Sequence, residues 1–371
     1  MGQKDWYLLQ RAESVDSPAL LVYPDRILNN IREMIRIAGD PGRLMPHVKT
    51  HKMAAVLSMQ VAEGIRKFKC ATIAEAEMAA SQGAEEVLLA YQLTGPRAVR
   101  WIQLIRQFPQ VRFASLVDNP GSASMLDGIF DQEELTGEVF IDVDDGMHRT
   151  GCPTGAPLED LFHLLQSYRH LTCRGFHVYD GHIRDSDFEL RRKRVQDALL
   201  PVSQLVESAT ASGLPAPILV AGGTPSFTVH ALNPGVICSP GTCVLWDAGY
   251  AEILPEQHFQ FAAVLLMRVA SRPHEGRLTL DLGHKAVAAE NPISSRVRFL
   301  GREGWEPVSQ SEEHLVVTTP VGQNLQPGEP VYAVPYHICP TVALYDEVQV
   351  VENGVVTGQW PVTARGRRIT I

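Results

Sequence analysis

Between residues 18 and 223, short apolar runs alternate with helical patterns, and this alternation constrains the fold more than any other feature of the sequence. "PALLVY" (18–23) precedes "DRILNNIREMIRIAG", in which Ile27, Ile31, Met34, Ile35 and Ala38 recur at helical spacing. Further strand-like runs at 43–50, 67–72, 86–91, 111–118, 138–144, 172–180 and 217–223 bring the candidates to eight, separated by helical stretches. Near-continuous apolar strands between helices predict a parallel sheet covered on both faces. Eight such units in about 210 residues predict a (β/α)8 TIM-type barrel rather than an open doubly wound sheet. After about residue 262 the pattern changes. "RLTLDLG", "EEHLVVTTP", "EPVYAVPY" and "EVQVVENGVVTGQWPVT" are strand-like with turn signals such as "ENG", which predicts a C-terminal all-β domain. The expected division is a barrel over 16–262 and a β domain made of 1–15 with 263–371.

Composition narrows the partners. The 371 residues are 45% hydrophobic and 20% charged, enough apolar material for a sizeable core. A formal net charge of −9 argues against nucleic acid or an anionic membrane surface. No apolar run reaches the roughly 18 residues of a membrane span, and "MGQKDWYLLQ" lacks the apolar core of a signal peptide. A cytoplasmic protein is therefore expected. Six cysteines (Cys70, Cys152, Cys173, Cys238, Cys243 and Cys339) are scattered without C-x-x-C pairs, as buried thiols would be.

The chemistry of such a barrel gathers at the carboxyl ends of its strands. "LMPHVKTHKM" (44–53) ends an apolar run with Lys49 between His47 and His51, and strand alternation would put these three on one face. A lysine there is a candidate Schiff-base nucleophile, because desolvation and neighbouring cations free its amine; a solvated loop lysine is the alternative. "VAGGTPSF" places Gly222, Gly223 and Thr224 directly after the eighth candidate strand, and "SPGTCVLWD" places Gly241 and Thr242 in the following turn. Barrel phosphate sites use such glycine N–H groups. A lysine facing a phosphate cradle suggests pyridoxal phosphate. Separately, "VPYHICPTVALYDEV" offers His337 and Cys339 two residues apart, on one face if the segment is extended. Imidazole with thiolate suits zinc, while carboxylate ligands suit manganese or magnesium.

"PHVKTHK", "DGMHRTG", "AGGTPSF" and "HICPTVALYDEVQVV", in this order, resemble the D-threonine aldolase and D-serine dehydratase family. Its members are fold-type III pyridoxal-phosphate enzymes with an alanine-racemase-like barrel and a C-terminal β domain. The resemblance implies that Lys49 carries the cofactor and serves as a base, with His47 and His51 lining its pocket. It implies that Arg149 lies near the cofactor's phenolic oxygen and Tyr179 beside the cofactor. It implies a divalent ion (Zn, Mn or Mg) at His337 and Cys339, a small β-hydroxy-D-amino acid as substrate, and a homodimer. Asp281, Lys285, Glu313 and His314 fall in recurrent family segments and are expected to support the site.

Two outcomes stay open at this stage. Retro-aldol cleavage of a D-threonine-type substrate would give glycine and an aldehyde, whereas dehydration of D-serine or 3-hydroxy-D-aspartate would give ammonia and an oxo acid. Cys339 leans towards dehydration. "GFHVYDGHIRD" resembles the aldolase pattern, with Asp180 in place of a histidine whose acid–base role His182 would take. An amino-acid racemase would need no metal pair, and a non-catalytic cofactor carrier would need no second domain.

Overall fold

The computed structural model describes residues 5–323, 325–367 and 370. The described chain forms two compact units. One comprises 32–49 and 57–241 with 366, 367 and 370; the other comprises 5–31, 50–56 and 242–365.

The first unit is built on parallel strands. Lys67–Cys70, Glu86–Gln92, Arg112–Val117, Gly137–Asp144, Leu171–Val178, Ile218–Ala221 and Val236–Cys238 lie side by side in that order. Residues 44–47 link the two edges: Met45 N–H donates to Cys238 O at 2.9 Å, and Lys69 N–H donates to Pro46 O at 2.9 Å. The sheet thus curls back to its start. Met45, Leu88, Ala114, Leu116, Phe140 and Val220 fill its interior. Covering helices begin at side-chain caps that accept orphan N–H groups. Thr72 starts Ile73–Ser81, Asn119 starts Pro120–Gln132, and Asp187 starts Phe188–Ala211.

The second unit is mostly β. Its sheet runs Glu306–Gln310, Leu315–Thr318, Arg277–Leu280, Ala263–His274, Ala19–Val22, Glu347–Glu352, Val355–Pro361, with Pro330–Pro335 branching from Ala263–His274 and Val297–Phe299 pairing with Pro330–Pro335. Short helices such as Ala248–Ile253 and Ile338–Val342 interrupt it.

The barrel-plus-β class stands, with three corrections of detail. "PALLVY" is not a barrel strand: Ala19–Val22 pairs antiparallel with Ala263–His274 and parallel with Glu347–Glu352. The place it vacates is taken by Val236–Cys238, a three-residue strand too short to register as a periodic run. The compact units divide the chain at 31/32, 49/50, 56/57, 241/242 and 365/366. Finally, residues 43–50 are extended only as far as His47; Val48–Thr50 form a 3-10 turn, so His47, Lys49 and His51 do not share a strand face.

Candidate active site

Lys49 stands in the turn directly after the first barrel segment, half-buried, with its backbone N–H donating to His47 Nδ1 at 3.3 Å. It lines a cavity of about 400 Å³ together with His47, Lys69, Asp142, Arg149, His177 and Tyr179. Three cations surround the Tyr179 ring. Lys49 Nζ lies 5.7 Å from its centroid, Lys69 Nζ 5.6 Å and Arg149 Cζ 5.0 Å. Such distances allow cation–π attraction. His51 is not among the lining residues. Its ring is buried, Nδ1 accepts from Met53 N–H at 3.1 Å, and burial pushes its pKa down to about 3, so it stays neutral.

Lys69 carried no expectation, yet it is the most deeply placed cation of the cavity, 2% exposed. Its Nζ lies 3.4 Å from His177 Nε2, and His177 Nδ1 lies 2.8 Å from Asp142 Oδ1. The other Asp142 oxygen accepts from Thr150 Oγ1 at 2.9 Å and Gln92 Nε2 at 3.0 Å. Burial, then the nearby Lys49 charge, pushes the Lys69 amine down to about 7. Burial likewise lowers His177, while the hydrogen bonds from His177, Thr150 and Gln92 outweigh burial at Asp142 and keep it ionised. The one available signal was a lysine in the middle of an apolar strand, "KFKCA".

The glycine turn follows Ile218–Ala221, the seventh segment of the barrel rather than the eighth. Gly222 has φ +81°, favourable for glycine alone, and its N–H donates to Val178 O at 2.9 Å. A Cβ there would sit 2.5 Å from His230 Cδ2, and one on Gly223 would sit 3.0 Å from Tyr179 Cε2. The loop therefore packs against Tyr179 with no room for side chains. Thr224 Oγ1 accepts from Gly241 N–H at 3.2 Å, which ties together the turns after the last two barrel strands. Beneath them Asp180, 2% exposed, accepts from Ser226 Oγ at 2.6 Å and pairs with His230 Nε2 at 2.7 Å. Burial opposes the charge on Asp180, but His230 and Ser226 prevail and hold it ionised. Asp180 thus anchors the glycine loop. His182 has a buried Nδ1 without a partner among the described residues, and its Nε2 faces Gly146.

Thr242 belongs to the other unit, where its Oγ1 lies 3.5 Å from Cys339 Sγ. Here the expected strand is absent: His337 is the N-cap of the short helix Ile338–Val342, and Cys339 sits in its first turn. Pro340 is tolerated there because first-turn N–H groups have no helical partner. The imidazole and thiol are nevertheless adjacent and polarise each other. Burial disfavours charge on both; the contact with Cys339, aided by Glu290 at 2.5 Å from Nδ1, still pushes His337 up to about 9, and His337 lowers the Cys339 thiol. Cys339 Sγ also lies 3.3 Å from Thr50 Oγ1. Among the described residues no group of three or more His, Cys, Asp or Glu converges as a metal cage. Asp281 accepts from Ser17 Oγ and Arg268 N–H, Lys285 pairs with Glu312 and Glu313 at the surface, and His314 O accepts from Ser311 N–H. These four expected supports hold loops of the β unit.

Residues 22–246, more than half of the chain, match the family model of the alanine racemase N-terminal domain. The chain belongs to that family. Residues 262–351 match a second model, described as "Putative serine dehydratase domain". A 3-hydroxy-D-aspartate aldolase of Paracoccus denitrificans (strain Pd 1222) is 27% identical over 367 residues, covering 95% of this chain and 93% of the relative. A D-threo-3-hydroxyaspartate dehydratase of Delftia sp. (strain HT23) is 29% identical over 304 residues, covering 78% and 77%. The crystal structure of D-threonine aldolase from Filomicrobium marinum superposes with a TM-score of 0.87 at 28% identity, covering 95% of this chain and 96% of the other. The resemblance read from the four motifs is borne out at family level. No helix among the described residues is long and apolar enough to cross a membrane.

Proposed function

We propose that this chain is a pyridoxal-phosphate-dependent lyase of β-hydroxy-D-amino acids, cleaving D-threonine-type substrates to glycine and an aldehyde. The observation that carries the reading is the convergence of Lys49, Lys69 and Arg149 on one tyrosine ring beside a glycine loop closed to side chains. The residues fit the cofactor. The donor set is cationic, as a phosphorylated ring with an oxyanion requires, and the close packing of Gly222 and Gly223 leaves backbone to face a phosphate.

When bound, pyridoxal phosphate supplies an electron sink for bonds broken at Cα. Lys49 would hold it covalently and, once freed by substrate, would take or give the proton at Cα. Arg149 would bind oxyanions at the cavity rim, and the Tyr179 ring would fix the plane of the occupant. Asp180, through Ser226 and His230, would hold the phosphate loop in shape. His337 and Cys339 would hold a divalent ion, which would supply Lewis acidity. Their donor chemistry fits zinc or a similar borderline ion, with open positions for small ligands.

Dehydration is the second reading, favoured by the thiol at position 339. The test is purified protein with D-threonine, D-allo-threonine, D-serine, 3-hydroxy-D-aspartate and the L-threonine epimers, under saturating cofactor and metal. Glycine with an aldehyde supports cleavage, and ammonia with an oxo acid transfers the site to dehydration. Comparable turnover of an L substrate would overturn the family-based reading, because a fixed carboxylate contact presents the reacting bond correctly for one Cα configuration only.

A further inference from the structure

The cavity holds more positive charge than its own carboxylate can balance. Asp142 is the acidic residue in its lining, and both of its oxygens are already taken by His177, Thr150 and Gln92. His177 in turn donates from Nδ1 to that carboxylate, so Nε2 is left as an acceptor for Lys69. A lysine ammonium carries three N–H donors. One is directed to His177, and among the described residues the others meet no carboxylate. A lysine that served packing alone would be stabilised inside an ion pair, because an uncompensated buried charge is costly. Here the amine is instead mounted on a neutral ring at the wall of a cavity.

We infer that Lys69 is an anion-binding residue of this cavity, presenting an ammonium held by the His177–Asp142 pair to an oxyanion of the occupant. The inference rests on the proposed function for the identity of that occupant. Two sources of oxyanion are then available: the ring oxygen of the cofactor, or a second carboxylate on a dicarboxylic β-hydroxy amino acid. The charged groups that face Lys69 are Lys49 and Arg149, which disfavour its protonation, and Asp142 and Asp180, which favour it. An incoming anion adds to the second group, so binding and protonation of Lys69 reinforce each other.

The first arm of the test needs neither cofactor nor turnover. Malonate is titrated into the cofactor-free full chain by calorimetry between pH 6 and 9. Wild type is expected to bind malonate, with affinity falling as the pH passes 7. Lys69→Met should bind at least tenfold more weakly, and Lys69→Arg should restore binding while removing the fall, since a guanidinium keeps its charge. Circular dichroism establishes that each variant is folded, and Lys69→Arg serves if Lys69→Met is not. No binding by wild type, or affinities for Lys69→Met within twofold of it, overturns the inference.

The second arm finds the source in cofactor-loaded protein. If the ring oxygen is the partner, Lys69→Met raises the midpoint of the pH titration of the visible band by a unit or more. If a substrate carboxylate is the partner, the preference for D-malate over D-lactate as inhibitor falls at least tenfold. If neither readout moves, the inference is overturned. Absence of a visible band with pyridoxal phosphate defeats the proposed function alone, because the malonate arm still decides the role of Lys69.

Discussion

Replacing Gly222 by alanine perturbs the proposed phosphate loop at its tightest point. Two costs add. The residue has φ +81°, where a side chain costs about 1–2 kcal/mol. The new Cβ would also lie 2.5 Å from His230 Cδ2 and 2.9 Å from Ser226 Oγ. Restoring ordinary carbon contact moves the ring by about 1 Å. That shift breaks the 2.7 Å bond from His230 to Asp180, a buried charged hydrogen bond worth about 1.5–3 kcal/mol. The total is about 2.5–5 kcal/mol, a large share of the ~5–15 kcal/mol that stabilises a typical domain. Gly213 supplies the control: it has φ +88° but nothing within 4 Å of its Cβ direction, so Gly213→Ala carries the backbone cost alone. Urea unfolding of both variants should show Gly222→Ala less stable by about 1.5–3 kcal/mol than Gly213→Ala, the hydrogen-bond share of the sum. Fluorescence titration should show at least tenfold weaker cofactor binding for Gly222→Ala only. Equal losses in the two variants would refute the argument that the loop is braced on the Asp180–His230 pair.

Borohydride reduction of cofactor-loaded protein followed by peptide mapping is expected to place the label on Lys49; a label on Lys69 would reverse the assignment of the two amines. Chelation, or His337→Ala, should abolish lyase activity and leave the visible cofactor band intact, since Lys49, Lys69, Arg149 and Tyr179 lie outside the unit that holds His337; full turnover in chelator would remove the metal from the proposal. In the cofactor-free chain, Lys69 has its amine lowered from 10.5 to about 7. The unfolded chain then binds the extra proton between these values, so the lysine's penalty is full below pH 7 and disappears as pH rises towards 10.5. Relative to Lys69→Met, wild type should gain about 2–3 kcal/mol between pH 7 and 9; a stability difference that does not change with pH would contradict the buried, depressed amine.

The candidate site was legible where its residues carry a local signature. Lys49 follows an apolar run, Gly222 and Gly223 interrupt one, and Arg149 stands in a short motif after another, so a strand-end position identifies each. Lys69 had no such signature. Its meaning comes from His177, 108 positions away, and from Asp142 behind it, and only the curling of the sheet brings them together. Asp180 reads in sequence as a substituted histidine; the fold shows it turned towards Ser226 and His230 as a brace.

The alternation of apolar runs and helical periods determined the class of fold and located seven of the barrel segments, because periodicity is a property of consecutive residues. It could not determine membership. "PALLVY" has the composition of a barrel strand, yet its register partners are Leu266, Val264 and Gln349, while "VIC" at 236–238 takes the barrel position. Strand pairing is decided by partners far along the chain, and local sequence carries no record of which edge is free when a strand arrives. The same holds for His337 and Cys339: the sequence gives their spacing, but whether that segment extends or turns as a helix is set by the contacts of Asp247 and Glu290 around it.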